Sequence, residues 1–362
     1  MNARILDLYT DYLICSFGAT TATGLSALTD GAVSHDKVTR FLSDELFTSA
    51  DLWKIVKPTV RKVQSEDAVL IIDDSVEEKP YTDENELICW HFDHMQNKSV
   101  KGINLVSTLY QSNGMSLPVA FELIKKTESY IDPKTGKQKR KCPKTKNEYY
   151  RQMVQTCVDN EIPFRYVLND VWFSSAENMR FVKETIKRDF VMPLKGNRNV
   201  ATSRENKNTG KFVSVSSLSL EENTTVPIWL EGIPFEMLLL KQVFTNADGS
   251  IGVLYLVTSD TSLSAQGIKD IYHKRWKVEE YHKSIKSNAS FAKSPTKRVM
   301  TQSNHFFASI CAYVKLAILS STHKMNHFAV KAKLYQSALA SAYQQLQELT
   351  AALAARPALC VT

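Results

Sequence analysis

The sequence predicts a mixed α/β core that carries a β-rich insertion and is flanked by helices at both ends. Three observations predict it. Apolar residues in the first 65 positions recur at helical spacing, most clearly Ile5, Leu6, Leu8, Tyr9, Tyr12 and Leu13. From residue 68 onward, short apolar runs alternate with helix-period segments, which is the order of a mixed sheet covered by helices. Residues 196–262 then hold several β-rich segments divided by turn residues before the helical pattern resumes.

Local chemistry justifies each element. Ser34 is suited to cap a helix from His35 to Leu42, with Asp36 in its first turn. Ser49 is suited to cap the next, which includes Leu52, Trp53, Ile55 and Val56. Ala68 to Asp73 reads as a strand buried on both faces, because Val69 to Ile72 are all apolar. Ile103 to Tyr110 and Leu117 to Leu123 are two further strands, with a hairpin turn at Asn113-Gly114. A helix over Glu148 to Val158 precedes a strand over Phe164 to Asn169, which ends at Asp170. Ser174 or Ser175 caps the following helix, which runs to Arg188. Phe190 to Lys195 is a fifth strand, placed near an edge by Pro193, which has no N–H to donate.

The insertion comprises Val226 to Leu230, Phe235 to Val243 and Ile251 to Val257, with a turn at Asn246 to Gly249. Ser264 to Ser287 is the last helix of the core, and 302–320 and 327–355 are C-terminal helices. The expected division is a helical, DNA-binding region at 1–66, a core at 67–195 and 263–300, an inserted β subdomain at 196–262, and a helical region at 301–362.

Composition sets the class. At 362 residues, 43% hydrophobic and 23% charged, the chain is an ordinary globular protein of two or three domains. The net charge of +7 is unevenly spread. Residues 1–65 are balanced, with seven Lys/Arg and seven Asp/Glu, whereas Lys134 to Lys146 holds seven Lys/Arg and no acid. Tyr272 to Arg298 holds eight Lys/Arg against Glu279 and Glu280. Clusters of this kind suit a phosphate backbone. The six cysteines (Cys15, Cys89, Cys142, Cys157, Cys311, Cys360) lack CxxC spacing, which excludes a zinc ribbon and speaks against a disulfide framework. Asp7 and Asp11 interrupt the apolar N-terminus, so no signal peptide is read there. Phe306 to Ser320 is interrupted by Lys315 and is too short to span a bilayer. The expected location is the cytoplasm, near the nucleoid, with reduced thiols and no membrane partner.

The most informative stretch is Tyr272-His-Lys-Arg275-Trp-Lys-Val-Glu279-Glu-Tyr-His-Lys-Ser-Ile-Lys286. At about 100° per residue, Tyr272, Arg275, Glu279 and Lys286 share one face of a helix. Val278, Tyr281 and Ile285 form a separate apolar face that can enter a core. A lone carboxylate among cations is built to hold something charged.

The spacing Y-(2)-R-(3)-E-(6)-K, together with Arg-Trp-x-Val-Glu-Glu-Tyr-His-Lys between, resembles the signature of the DDE transposases of bacterial insertion sequences. The resemblance covers residues 68–300 and, more loosely, the N-terminal helices. It implies an RNase H-like core with three carboxylates that serve as catalytic residues and metal ligands. They are Asp74, Asp170 and Glu279. Alternation cannot choose between Asp73 and Asp74, because the preceding strand residues are apolar on both faces. The resemblance favours Asp74, since the family aspartate usually precedes Thr, although Ser75 stands there in this chain.

The resemblance further implies two Mg²⁺ ions, with Mn²⁺ as substitute, and in-line displacement at a DNA phosphodiester. The DNA partners are the terminal inverted repeats and a target duplex, held by a homodimer on paired ends. The outcome is cut-and-paste transposition with joining of 3′ ends, often through a hairpin. Tyr272, Arg275 and Lys286 would contact the end phosphates, with Lys283 one turn before Lys286. Lys195 and Arg198 are secondary DNA-binding candidates. An RNase H-like nuclease without strand transfer and a non-catalytic DNA-binding derivative are the alternatives. The intact carboxylates argue against the second.

Other motifs are weaker. Cys89-Trp-His91-Phe-Asp93-His94 lacks the second ligand pair of a zinc site. Lys98 to Gly102 resembles the segment leading into the second core strand of these transposases. Lys134 to Lys146 reads as a mobile basic loop that contacts phosphates without reading sequence. Trp229, in the insertion, either packs in its own core or stacks on an extruded base near the cut.

Overall fold

Four helices open the chain: α1 (Ala3–Cys15), α2 (Ala22–Leu28), α3 (His35–Ser43) and α4 (Ser49–Val63). The computed structural model describes residues 1–93, 97–246 and 248–354. Asn2, Thr21 and Ser34 cap the first three helices by accepting from Ile5, Gly24 and Lys37 N–H. The cap of α4 is Thr48 and not Ser49, because Thr48 and Asp51 close a reciprocal capping box. Ser49 Oγ donates instead to Phe121 O at 2.7 Å and ties the helix to the sheet.

The sheet begins with β1 (Val69–Glu78), β2 (Cys89–Asp93), β3 (Lys98–Ser112) and β4 (Met115–Leu123). Val69 to Ile72 are fully buried, as a strand covered on both faces requires. β1 does not end at Asp73. It runs on to Glu78 because β3 pairs antiparallel along its whole length, from Val69↔Gln111 to Glu78↔Gly102. Gly102 permits this, since a Cβ there would stand 2.3 Å from Glu77 O. The β3–β4 turn is at Asn113-Gly114, with φ of 46° and 76°, the left-handed pair that a two-residue hairpin favours. β2 is a strand that periodicity did not reveal. His91 on it is buried, and its Nε2 lies 3.3 Å from Cys89 Sγ. His94 lies outside the described residues, as does Cys360.

The expected loop at 134–146 is only partly a loop. An exposed hairpin of β5 (Glu128–Ile131) and β6 (Gln138–Lys141) takes up its first part, and Lys146 opens α5 (Lys146–Asp159). Thr145 and Glu148 form the capping box that starts α5. β7 (Tyr166–Asn169) follows, parallel to β1. Ser175 caps α6 (Ala176–Arg180), which continues into a π turn at Phe181–Thr185. β8 (Asp189–Leu194) is parallel to β7.

β8 is an interior strand, contrary to the edge position expected from Pro193. The ladder to β7 stops at Leu168↔Val191, so Pro193 is paired on one side only, to Leu256. The insertion supplies β9 (Asn199–Ala201), α7 (Arg204–Asn208), β10 (Val213–Ser214), β11 (Thr225–Leu230), β12 (Met237–Thr245) and β13 (Ile251–Thr258). These strands extend the core sheet through β13–β8 pairing. Among the described residues they complete an 11-stranded sheet ordered β10-β9-β11-β12-β13-β8-β7-β1-β3-β2, with β4 also on β3. The mixed, mostly antiparallel sheet with its helices is the architecture of an RNase H-like core.

The helix expected over Ser264–Ser287 is divided into α8 (Ala265–His273) and α9 (Trp276–Asn288). Lys274 and Arg275 stay right-handed, but Lys277 N–H bonds Lys274 O and Val278 N–H bonds Arg275 O, a tightened turn that shifts the phase between the two helices. α10 (Val299–His323) is longer than expected, and by length and composition alone it could cross a membrane. Phe306, Phe307, Ile310 and Leu316 on it are core residues, and Lys315 bonds Asp7 of α1 at 2.8 Å. α11 (His327–Ala354) follows a left-handed Lys324.

Candidate active site

The parallel ladder between β1 and β7 ends at Ile72↔Asn169. Asp73 and Asp170 are the next residues on each strand, so two carboxylates separated by almost a hundred positions emerge side by side where the strands part. Asn169 fixes the exit of β7. It is fully buried, accepts from Tyr150 Oη at 3.1 Å, and donates to Asp170 O and Ser174 Oγ at 2.7 and 3.0 Å. Asp170 Oδ1 accepts from Trp172 and Phe173 N–H at 3.0 and 3.3 Å, which orients the carboxylate.

α9 brings the third partner. Val278, Tyr281 and Ile285 are fully buried against the core, as their spacing predicted. Tyr281 Oη reaches Ser107 Oγ at 3.5 Å; Ser107 pairs with Asp73 across the ladder, so α9 covers the face on which Asp73 stands. Glu279 thereby faces Asp73. Arg275 Nη1 lies between them, 3.7 Å from Asp73 Oδ2 and 3.4 Å from Glu279 Oε1. Asp74 points to the other side of the pleat. Its Oδ2 accepts from Asn104 Nδ2 and from Lys146 Nζ, both at 2.7 Å.

These groups open into one cleft of about 710 Å³, lined by Asp73, Asp74, Asp170, Arg275, Glu279 and Lys286 among others. The negative charge in it is only partly compensated. Asp73 is held well above the usual carboxylate range, by burial first and then by Asp170, Asp74 and Glu279. Asp170 is pushed up to about 6 by burial and by Asp74, against the opposing pull of Phe173 and Trp172 N–H. Carboxylates crowded in this way take up either protons or cations.

His282 belongs to the same group. It lies one turn beyond Glu279, and among the described residues Asp73, Glu279 and His282 offer ligand atoms within 4.8 Å of one another. Burial lowers its pKa to about 3, so the ring is neutral, and among the described residues its buried Nε2 has no hydrogen-bond partner.

The expected DNA-binding residues divide in two. Arg275, Lys283 and Lys286 line the cleft, Lys283 with its ammonium 5.4 Å from the Phe328 ring and Lys286 donating to Val76 O at 3.1 Å. Tyr272 supports Arg275 from behind, its ring 5.9 Å from the guanidinium. Lys195 reaches the rim, with Nζ 3.9 Å from the ring of Trp172, which lines the cleft. Arg198 sits in the turn after β8 and is not among the lining residues. Trp229 is half-buried on β11, opposite Ala201, and does not line the cleft either. The aromatics that do are Phe92, Trp172 and Phe173.

Asn104 and His282 were not among the expected site residues, and Lys146 was expected only as the end of the basic loop at 134–146. Signals existed for two of them. The Thr145-x-x-Glu148 capping box puts Lys146 in the first turn of a helix that ends beside the sheet, and His282 shares the face of Glu279 by i,i+3 spacing. Asn104 had none, since its contact depends on the β1–β3 register.

Residues 2–211 match the family model described as DDE superfamily endonuclease, and residues 135–315 match the one described as Transposase DDE domain. No curated protein matches the chain in sequence. Among solved structures, endonuclease V from Bacillus subtilis is similar at 7% identity, covering 78% of this chain and 98% of that chain, with a TM-score of 0.25, too weak a likeness to bear on the fold. The first family match takes in β1 and Asp170, and the second takes in Asp170 and Glu279, so the three expected carboxylates all fall within matched segments. The chain belongs to the DDE transposases of the DDE endonuclease superfamily.

Proposed function

We propose that this protein cuts DNA at the terminal inverted repeats of an insertion sequence and joins the exposed 3′ ends to target DNA. The observation that supports it most is the convergence of Asp74, Asp170 and Glu279 in one cleft with Arg275, Lys283 and Lys286. The family implies a divalent cation, and the donor set fits one. The carboxylates are crowded, partly buried and under-neutralised, which suits hard cations that take oxygen ligands. Asp74, Asp170 and Glu279 would hold two Mg²⁺ ions, or Mn²⁺ in their place, with Asp73 as a fourth carboxylate on the Glu279 side. Bound there, such ions activate an attacking oxygen and stabilise the leaving one.

The chain's own residues do the rest. Arg275 orients Glu279 and Asp73 and presents a planar donor to a phosphate. Lys283 and Lys286 hold the adjoining backbone. Lys146, paired with Asp74 and 40% exposed, is placed to bind a phosphate of the adjoining backbone. We further read the protein as a dimer on paired ends. α11 supports this with Leu339, Tyr343, Leu346 and Leu349, each more than 60% exposed and gathered within about 120° of one helix face.

Strand transfer is the test. A labelled duplex carrying the end of the DNA that flanks the coding sequence is incubated with the protein, Mg²⁺ and supercoiled plasmid. Labelled plasmid is the expected product. Cleavage with no labelled plasmid would make the protein a nuclease only.

A further inference from the structure

We propose that His282 is a nitrogen ligand to a cation in this cleft, so that one of its metal positions is a mixed oxygen–nitrogen site formed by Asp73, Glu279 and His282. The inference rests on the metal-dependent reading above and adds a ligand outside the three-carboxylate set.

Two independent observations carry it. The first is proximity: a ring nitrogen of His282 and carboxylate oxygens of Asp73 and Glu279 lie within 4.8 Å of one another. Ligand atoms around one cation with bonds of ~2.1 Å sit about 3 to 4.2 Å apart, so small side-chain adjustments close the group. The second is an unmet bond. His282 is 6% exposed, and its Nε2 is buried without a hydrogen-bond partner among the described residues.

Another buried histidine shows what a purely structural ring looks like in this fold. His305 is fully buried, and both its nitrogens are paired, Nδ1 with Tyr9 Oη and Nε2 with Ser290 O, each at 3.0 Å. Buried polar atoms are paired as a rule, and an orphan calls for an explanation such as an absent ion. Arg275 and Lys286 flank the group, but Arg275 is engaged with Asp73 and Glu279, and Lys286 with Val76 O. Neither donates a hydrogen bond to the Nε2 of His282, which stays unpaired among the described residues. A cation can bridge all three.

The ligand chemistry predicts selectivity. An all-carboxylate site suits Mg²⁺, whereas an imidazole shifts preference toward first-row transition cations such as Mn²⁺ and Co²⁺. His282 should therefore raise affinity for Mn²⁺ more than for Mg²⁺.

The test uses the full chain without DNA, loaded with Mn²⁺ and read by pulsed electron paramagnetic resonance. The expected result is a ¹⁴N coupling of a directly bound imidazole that converts to a ¹⁵N coupling when the protein is made with ¹⁵N-histidine. In His282→Gln the coupling should vanish and Mn²⁺ affinity should fall by at least about tenfold, with a smaller change for Mg²⁺. The isotope substitution needs no variant, so a poorly folding His282→Gln does not block the test. If Mn²⁺ binds, and Asp73→Asn or Glu279→Gln releases it, but no nitrogen coupling is seen, the proposal is overturned while the carboxylate site stands. If Mn²⁺ binding ignores Asp73 and Glu279 altogether, both readings fall.

Discussion

Lys146 Nζ lies 2.7 Å from Asp74 Oδ2, joining the first turn of α5 to the middle of β1. The ammonium stands where a cation would otherwise draw on that carboxylate, and it is 40% exposed, so it can leave. An ion pair of this exposure is worth about 0.2–1 kcal/mol. Lys146→Ala should tighten Mn²⁺ binding by no more than about fivefold, read by titration calorimetry. The same variant should lower DNA cleavage, because the phosphate contact is lost with the competitor. Weaker metal binding in Lys146→Ala would show that the lysine organises the site instead of competing for it.

The raised carboxylates set a pH dependence. The Asp170 pKa is about 6 in the fold, against an ordinary value near 3.8 when unfolded. Between roughly pH 4 and 6 the folded protein therefore binds more protons than the unfolded chain, and stability falls as pH rises through that window. Asp73, shifted in the same direction, adds to the effect. In chelator, the melting temperature should drop from pH 4.5 to 7; in excess divalent cation, which replaces the protons, the drop should shrink. Asp170→Asn should flatten the chelator curve. A metal-free protein equally stable across this range would mean that these carboxylates are not crowded in solution.

The exposed face of α11 should decide assembly. Leu346→Glu places a charge at the centre of Leu339, Tyr343 and Leu349. The variant should fold normally and bind a single DNA end, yet fail to pair two ends in sedimentation with labelled duplexes. Undiminished pairing would locate the dimer contact elsewhere.

The features that sequence made visible are local. Glu279 with Arg275 on one side and Val278, Tyr281 and Ile285 on the other is a pattern within a few helical turns. Asp170 was marked by the apolar strand that ends beside it. What stayed hidden depends on register and on distant pairing. Asp73 meets Glu279 because Ser107 pairs with Asp73 and touches Tyr281, a relation that spans three elements. β8 became interior because β13, more than fifty residues later, adds to its free side. The tightened turn at Lys274–Arg275 has no Gly or Pro to announce it, so the helix read as continuous. The hairpin β5–β6 is polar and exposed, and its composition resembles that of a loop.

Salt should report on the cations of the cleft. Binding of end DNA should weaken linearly in log–log form with added salt, with a slope proportional to the phosphates neutralised. Arg275→Ala and Lys286→Ala should each reduce that slope by about one and lower cleavage further than binding. Neutralising Lys137, Lys139 and Arg140 in the basic hairpin should lower affinity for all sequences alike. A salt-independent affinity would remove phosphates as the main contacts.

The most direct measurement compares Glu279→Gln with Glu280→Gln in Mg²⁺, with a labelled DNA end and plasmid target. Glu279 stands at the cleft beside Arg275, whereas Glu280 is turned outward and bonds Lys277 Nζ at 2.8 Å. The expectation is that Glu279→Gln binds the end normally but loses at least about a thousandfold in cleavage and joining, while Glu280→Gln stays within a few-fold of the wild type. Full cleavage by Glu279→Gln, at wild-type rate and with the same products, would contradict it.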